Sequence, residues 1–181
     1  MIDPTLGPYL FDTSADSWLR ESIDPAVRRW LAIYLGKYLK QVSAITVMER
    51  VRGYAMLITR LAPERRADAE SARQSYLNTP GKVLPIDSLV ALIAGELAVL
   101  LPQPPSPPKR SHRVLEVRQE RLFRWRCDIM IAATALVAGM PLVHHNPRDF
   151  ETIRMAIETS PERFPTLGPL NLVNVLRLAG S

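Results

Sequence analysis

A chain of 181 residues, 47% hydrophobic and 23% charged, is long enough to bury a core and too apolar for a disordered chain, so one folded domain over 1–181 is expected. Its one cysteine, Cys127, excludes an internal disulfide and a cysteine-built zinc cluster, which suits a reducing cytoplasm. The formal net charge of +5 is local: Lys109 to Arg126 carries seven basic residues against two acids, a surplus equal to that of the whole chain, so attraction for a polyanion is expected on one patch.

Met1-Ile2-Asp3-Pro4 lacks the basic and apolar run of an export signal, and a cytoplasmic location is expected. Pro8 to Phe11 reads as a buried strand ending on Asp12-Thr13-Ser14. Asp24-Pro25 opens an amphipathic helix to Tyr38, with Val27, Trp30, Leu31, Tyr34, Leu35 and Tyr38 at three- and four-residue spacings. Gln41 to Ile45 reads as a second strand. Thr46 is then expected to cap a helix through Leu61, with Glu49 at capping-box spacing.

Pro63 to Tyr76 reads as a solvent-facing helix closed by the turn Asn78-Thr79-Pro80-Gly81. A short edge strand, Val83-Leu84-Pro85, precedes an apolar helix from Ile86 to Leu101. Its stretch from Ser88 is interrupted by Gly95 and Glu96 and is shorter than the roughly 20 residues that span a bilayer, so it reads as a buried helix and no membrane partner is expected. Residues 102–108, with five prolines, read as a mobile extended spacer within one domain. Val114 to Arg126 reads as a basic helix, and Asp128 leads into an alanine-rich helix from Ile129 to Ala138. Pro141 to His144 is a strand, 150–158 a helix, and Leu170 to Val175 a last strand.

Strands alternating with helices imply an α/β fold, a central parallel sheet with helices on both faces, and ligands in such sheets bind beyond the carboxyl ends of the strands. Asp12, Glu49 and His144 follow strands at that edge. Asp12, Glu49, Asp128 and Asp149 each adjoin a strand end or helix start and converge if the sheet closes in this way. Clustered carboxylates repel one another, and a hard divalent cation, Mg²⁺ or Mn²⁺, keeps them ionised together, a setting suited to phosphodiester hydrolysis. The competing reading is local: Asp128 as a helix N-cap, and Glu49 as the partner in a capping box.

Three segments resemble one family in order and spacing: Leu10-Phe11-Asp12-Thr13-Ser14; Ser43 through Glu49 to Gly53; and Asp128-Ile129-Met130-Ile131-Ala132-Ala133-Thr134-Ala135 continuing to Asn146-Pro147-Arg148-Asp149-Phe150. The chain is similar to PIN domains, and among them to the VapC-type toxins of bacterial toxin–antitoxin pairs. The resemblance implies a PIN-like fold, a metal-dependent endoribonuclease with Asp12, Glu49 and Asp128 as metal-binding acids, an RNA substrate, a cognate antitoxin and a homodimer. Related proteins carry the fourth carboxylate either where Asn146 stands or where Asp149 stands; Asp149 is the expected fourth acid, with Asn146 its neutral neighbour, and the resemblance places Thr13 and Ser14 beside the first acid or in a structural turn. This sequence has His144 where the family usually has Thr or Ser, a residue able to touch phosphate, tune a bound water or fill space; His145 and His112 carry weaker claims. Glu49 and Asp128 lie 79 positions apart, more than in compact members, and the proline segment and basic helix occupy the excess. Arg118, Arg121 and Arg124 are candidate contacts to RNA or antitoxin. The alternative function is a catalytically degenerate module that binds RNA or protein through this patch.

Overall fold

The computed structural model describes residues 2–79, 81–108, 110–111 and 114–178. β1 (Leu10–Phe11) leads directly into α1 (Thr13–Glu21), and Asp24 caps α2 (Pro25–Lys37) by accepting the Ala26 N–H at 2.8 Å, with Pro25 in the first helical turn. β2 (Gln41–Ser43) passes into α3 (Ala44–Arg60), followed by α4 (Pro63–Asn78) and β3 (Lys82–Leu84). Ahead of β3, Gly81 holds φ +92°, and a Cβ there would lie 2.4 Å from the Lys40 carbonyl oxygen, so only glycine fits this part of the expected turn. Pro80 of the same turn lies outside the described residues. α5 (Ser88–Leu100) is capped by Asp87, whose carboxylate accepts the Val90 N–H at 2.9 Å. A two-stranded antiparallel ribbon, β4 (Arg110–Ser111) with β5 (Val114–Leu115), then precedes α6 (Arg118–Val137), β6 (Leu142–His144), α7 (Pro147–Thr159) and β7 (Leu172–Asn174).

Five strands form one parallel sheet in the order β3-β2-β1-β6-β7. Alternation divides its faces. Leu10 and Leu142 enter a core with Val90, Ile93 and Leu97 of α5, Ile129 and Ala133 of α6, and Phe150 and Ile153 of α7. Phe11, Val42 and Val143 enter a second core with Leu19 of α1 and Val27, Trp30 and Tyr34 of α2. Trp30 and Tyr34 stack at 5.3 Å between ring centroids, 6° from parallel. With seven α-helices among the described residues and helices on both faces, the expected α/β architecture is realised.

Several elements differ from the expectations. The α3 cap is Ser43, whose hydroxyl accepts the Ile45 N–H at 3.2 Å; Thr46 is buried one turn inside, its hydroxyl directed at the Phe11 carbonyl (3.5 Å). Glu49 therefore lies beyond the first turn and belongs to no capping box. α4 is not wholly solvent-facing, since Ala69 and Tyr76 are buried. α5 buries one face only, and Leu92 on the other is 60% exposed. α6 begins four residues later than expected, because Val114–Leu115 pairs in the ribbon, and it then runs unbroken through Asp128. The proline segment is pinned: α6 holds the chain just before it and within its first half, Trp125 donating to the Leu101 carbonyl and Arg121 to the Pro104 carbonyl, both at 2.8 Å. Among the described residues no helix is long and apolar enough to cross a membrane.

Candidate metal centre

In chain order the sheet grows from β1 to β2 and β3 on one side, then crosses to β6 on the other, which makes the β1–β6 boundary the switch point where connections leave in opposite directions. Asp12 stands just past β1, and His145 and Asn146 just past β6. A cavity of about 400 Å³ opens there, lined by Asp12, Thr13, Ser14, Glu49, Arg124, Asp128, His145 and Asn146. The structure thus brings Asp12, Glu49 and Asp128 to one pocket from three distant parts of the chain.

Each carboxylate is delivered by a different element. Asp12, 2% exposed, is the N-cap of α1; its Oδ1 accepts the Ala15 N–H at 2.5 Å, and the carboxylate also accepts the His145 N–H. Burial is the main reason its pKa is pushed up to about 7; those two N–H groups oppose the rise and the Glu49 charge adds to it. Glu49 projects from α3 and accepts the Thr13 hydroxyl at 2.5 Å, which gives Thr13 a definite task in fixing that carboxylate. Asp128 sits inside α6, so capping does not account for it. Its pKa is raised well above the ordinary carboxylate range by burial first, then by the charges of Asp12, Glu49 and Asp149, with Arg124 opposing.

Asp149 does not line the cavity. Buried behind Asn146, it accepts the Asn146 amide at 2.6 Å and the Ser106 N–H at 3.2 Å, and the same Asn146 nitrogen reaches Asp128 Oδ2 at 3.4 Å. The proline segment therefore touches the acidic cluster through Ser106. His144 is buried against Phe150, 5.2 Å between ring centroids, with no partner for Nδ1 among the described residues; burial depresses its pKa to about 4. The cavity is lined by exposed His145, just past β6, rather than by His144, a difference of one position that the sequence pattern does not resolve. Arg124 lines the cavity; Arg121 is engaged with Pro104 and Arg118 is exposed. Lys109, His112 and Arg113 lie outside the described residues.

Among the described residues no three His, Cys, Asp or Glu side chains are drawn together as a ready-made ion cage. Each carboxylate is instead turned toward a local partner: Asp12 to backbone N–H groups, Glu49 to Thr13, Asp128 toward Asn146. The donor set nevertheless fits a hard divalent cation. All donors are oxygens, and the burial and mutual repulsion that disfavour the Asp12 and Asp128 anions are what a bound cation would offset.

Several solved structures share this fold. A chain of VapBC2 from Rickettsia felis, bound to a DNA fragment from its promoter, has 15% identity and a TM-score of 0.57, covering 92% of this chain and 97% of that one. FitAcB from Neisseria gonorrhoeae gives 22% identity and a TM-score of 0.56, covering 94% and 99%. FitAB bound to an IR36 DNA fragment gives 24% and 0.54, covering 93% and 95%. No curated protein sequence matches the chain. The PIN domain model matches residues 9–155, from the strand that delivers Asp12 into the helix that carries Asp149, and the chain belongs to the PIN-domain family.

Proposed function

We propose that this protein is a metal-dependent endoribonuclease, the toxin of a toxin–antitoxin pair. The observation that carries the reading is the convergence of Asp12, Glu49 and Asp128 on one cavity at the sheet's switch point, with Asp128 in mid-helix where it serves no capping purpose. Mg²⁺ or Mn²⁺ held by these three oxygens would activate water and offset charge on the scissile phosphate. Thr13 fixes the Glu49 carboxylate, the α1 and His145 N–H groups fix Asp12, and Asp149 completes the acidic set from behind Asn146. Ser14 and His145 are open to an incoming RNA strand. Residues 1–181 act as one domain, since both cores rest on the same sheet. The likeness to VapC-type toxins supports a cytoplasmic setting, a cognate antitoxin and a homodimer, for which the outer face of α5, with Leu89, Leu92 and Val99, offers apolar surface.

The test is cleavage of RNA by wild type, Asp12→Asn and Asp128→Asn with Mn²⁺ and with a chelator. Wild type should cut only with metal, and each variant should lose at least about a hundredfold in rate while remaining folded. Metal should raise the melting temperature of wild type more than that of either variant. RNA bound but left intact by wild type under all conditions would make the protein a non-catalytic binding module instead.

A further inference from the structure

α6 places Arg124 one turn before Asp128, and residues four apart share a helix face, so both side chains reach the same cavity. Arg124 does not hang free there. Its Nε donates to Glu116 Oε1 at 2.7 Å and its Nη2 to Oε2 at 2.9 Å, a bidentate pair that fixes the plane of the guanidinium. Glu116 belongs to the segment between α5 and α6, and its side chain is only 8% exposed. Pairing along the Nε–Nη2 edge leaves the Nη1 end as the guanidinium's remaining donor edge.

Among the described residues, Arg124 is the only arginine or lysine lining a cavity that holds three carboxylates. A structural counter-ion for Asp128 needs no such orientation, whereas a donor that must meet a phosphate oxygen at one angle does. Glu116 also raises the Arg124 pKa, which keeps the group a permanent cation rather than a proton carrier.

We propose that Arg124 is a catalytic residue that binds a non-bridging oxygen of the scissile phosphate and stabilises the charge developing on it, and that Glu116 is its positioning residue. The inference rests on the nuclease reading and adds a contact to it. In the hydrolysis the water oxygen bonds to phosphorus while the ester bond to one ribose oxygen breaks. One water proton ends on that leaving oxygen and the other on the new phosphate or in solvent; Arg124 gives up none. Its donor edge is set before substrate arrives, so little reorganisation accompanies the reaction.

The experiment measures RNA-cleavage kinetics and calorimetric Mn²⁺ titrations on wild type, Arg124→Ala, Arg124→Lys and Glu116→Gln. Arg124→Ala should lower kcat about a hundredfold with a much smaller change in KM. Mn²⁺ should bind at least as tightly as in wild type, because a cation has been removed from beside the acids. Millimolar guanidinium should restore part of the lost rate to Arg124→Ala and none to Asp128→Asn. Arg124→Lys keeps the charge without the fork and should fall between wild type and Arg124→Ala. Glu116→Gln should lower kcat about tenfold with Mn²⁺ affinity unchanged. If Arg124→Ala unfolds, Arg124→Lys and Glu116→Gln decide. Unchanged kcat in the Arg124 variants, or a rate that falls only in step with Mn²⁺ affinity, would overturn the proposal while leaving the nuclease reading intact. A wild type that cuts no RNA would overturn both.

Discussion

Asp12 carries opposite demands, since burial penalises its anion while the proposed metal centre requires it. In the metal-free protein the folded-state pKa of about 7 exceeds the ordinary 3.8, so between those values the native state binds the proton that the unfolded chain releases. The stability this contributes is fully present below about pH 4 and is lost as pH rises through about 7. Asp128 shifts in the same direction. His144 acts in the opposite sense: its pKa is depressed to about 4, so its contribution is present above the unfolded value of 6.5 and lost as pH falls. Comparing Asp12→Asn with wild type in chelator cancels His144, which is common to both, and reads Asp12 together with its charge coupling to Asp128. Urea melts from pH 4 to 8 should show the variant gaining on wild type as pH rises, by an amount on the order of a few kcal/mol across the window. A stability difference that is flat with pH would mean Asp12 ionises in the folded protein as it does in the unfolded chain.

Helix and strand identity was largely legible in the sequence because it depends on local signals. Asp24-Pro25 marks the start of α2, and the Leu10-Phe11 run ends where β1 ends. What was not legible depends on long-range partners. Val114 to Val117 have no helix breaker, yet the chain uses Val114–Leu115 in a ribbon; Asp128 has a cap residue's chemistry, yet α6 passes straight through it. The acids could be named from the motifs, but that Asp149 stands behind Asn146, and that His145 rather than His144 faces the cavity, follows from packing at the end of β6.

The proline segment is the clearest case. Proline content alone suggests a loose spacer, whereas the Ser106 N–H holds Asp149, which in turn holds the Asn146 amide nitrogen at the cavity wall. Ser106→Pro suits the extended local chain but deletes that N–H, leaving a buried carboxylate oxygen short of one donor. Mn²⁺ affinity should fall about tenfold. Ser106→Ala keeps the N–H and should match wild type. Equal Mn²⁺ affinity in all three proteins, measured by calorimetric titration, would make the contact incidental to the centre.

Across the whole molecule the positive surplus lies in one segment, but the fold divides that segment between internal and external work. Arg121 is tied to the Pro104 carbonyl and Arg124 to Glu116, while Arg118 and Arg126 are exposed. A helix turns about 100° per residue, so Arg126 projects roughly 160° away from Asp128 and Arg118 roughly 80°. RNA that reaches the acidic cavity can pass Arg118 and has to leave Arg126 on the far side of α6. Each phosphate contact to a single strand contributes about 0.7 to the slope of log affinity against log salt, because counterions are released. With cleavage disabled by Asp12→Asn, adding Arg118→Ala should therefore reduce that slope by about 0.7 and weaken binding at low salt. Adding Arg126→Ala instead should leave the slope where it was. Both can be read from RNA binding titrations by fluorescence anisotropy over a series of salt concentrations. Equal losses from the two substitutions would mean that the basic segment acts as a diffuse field, and no loss from Arg118→Ala would mean that RNA enters the cavity along a different edge of the sheet.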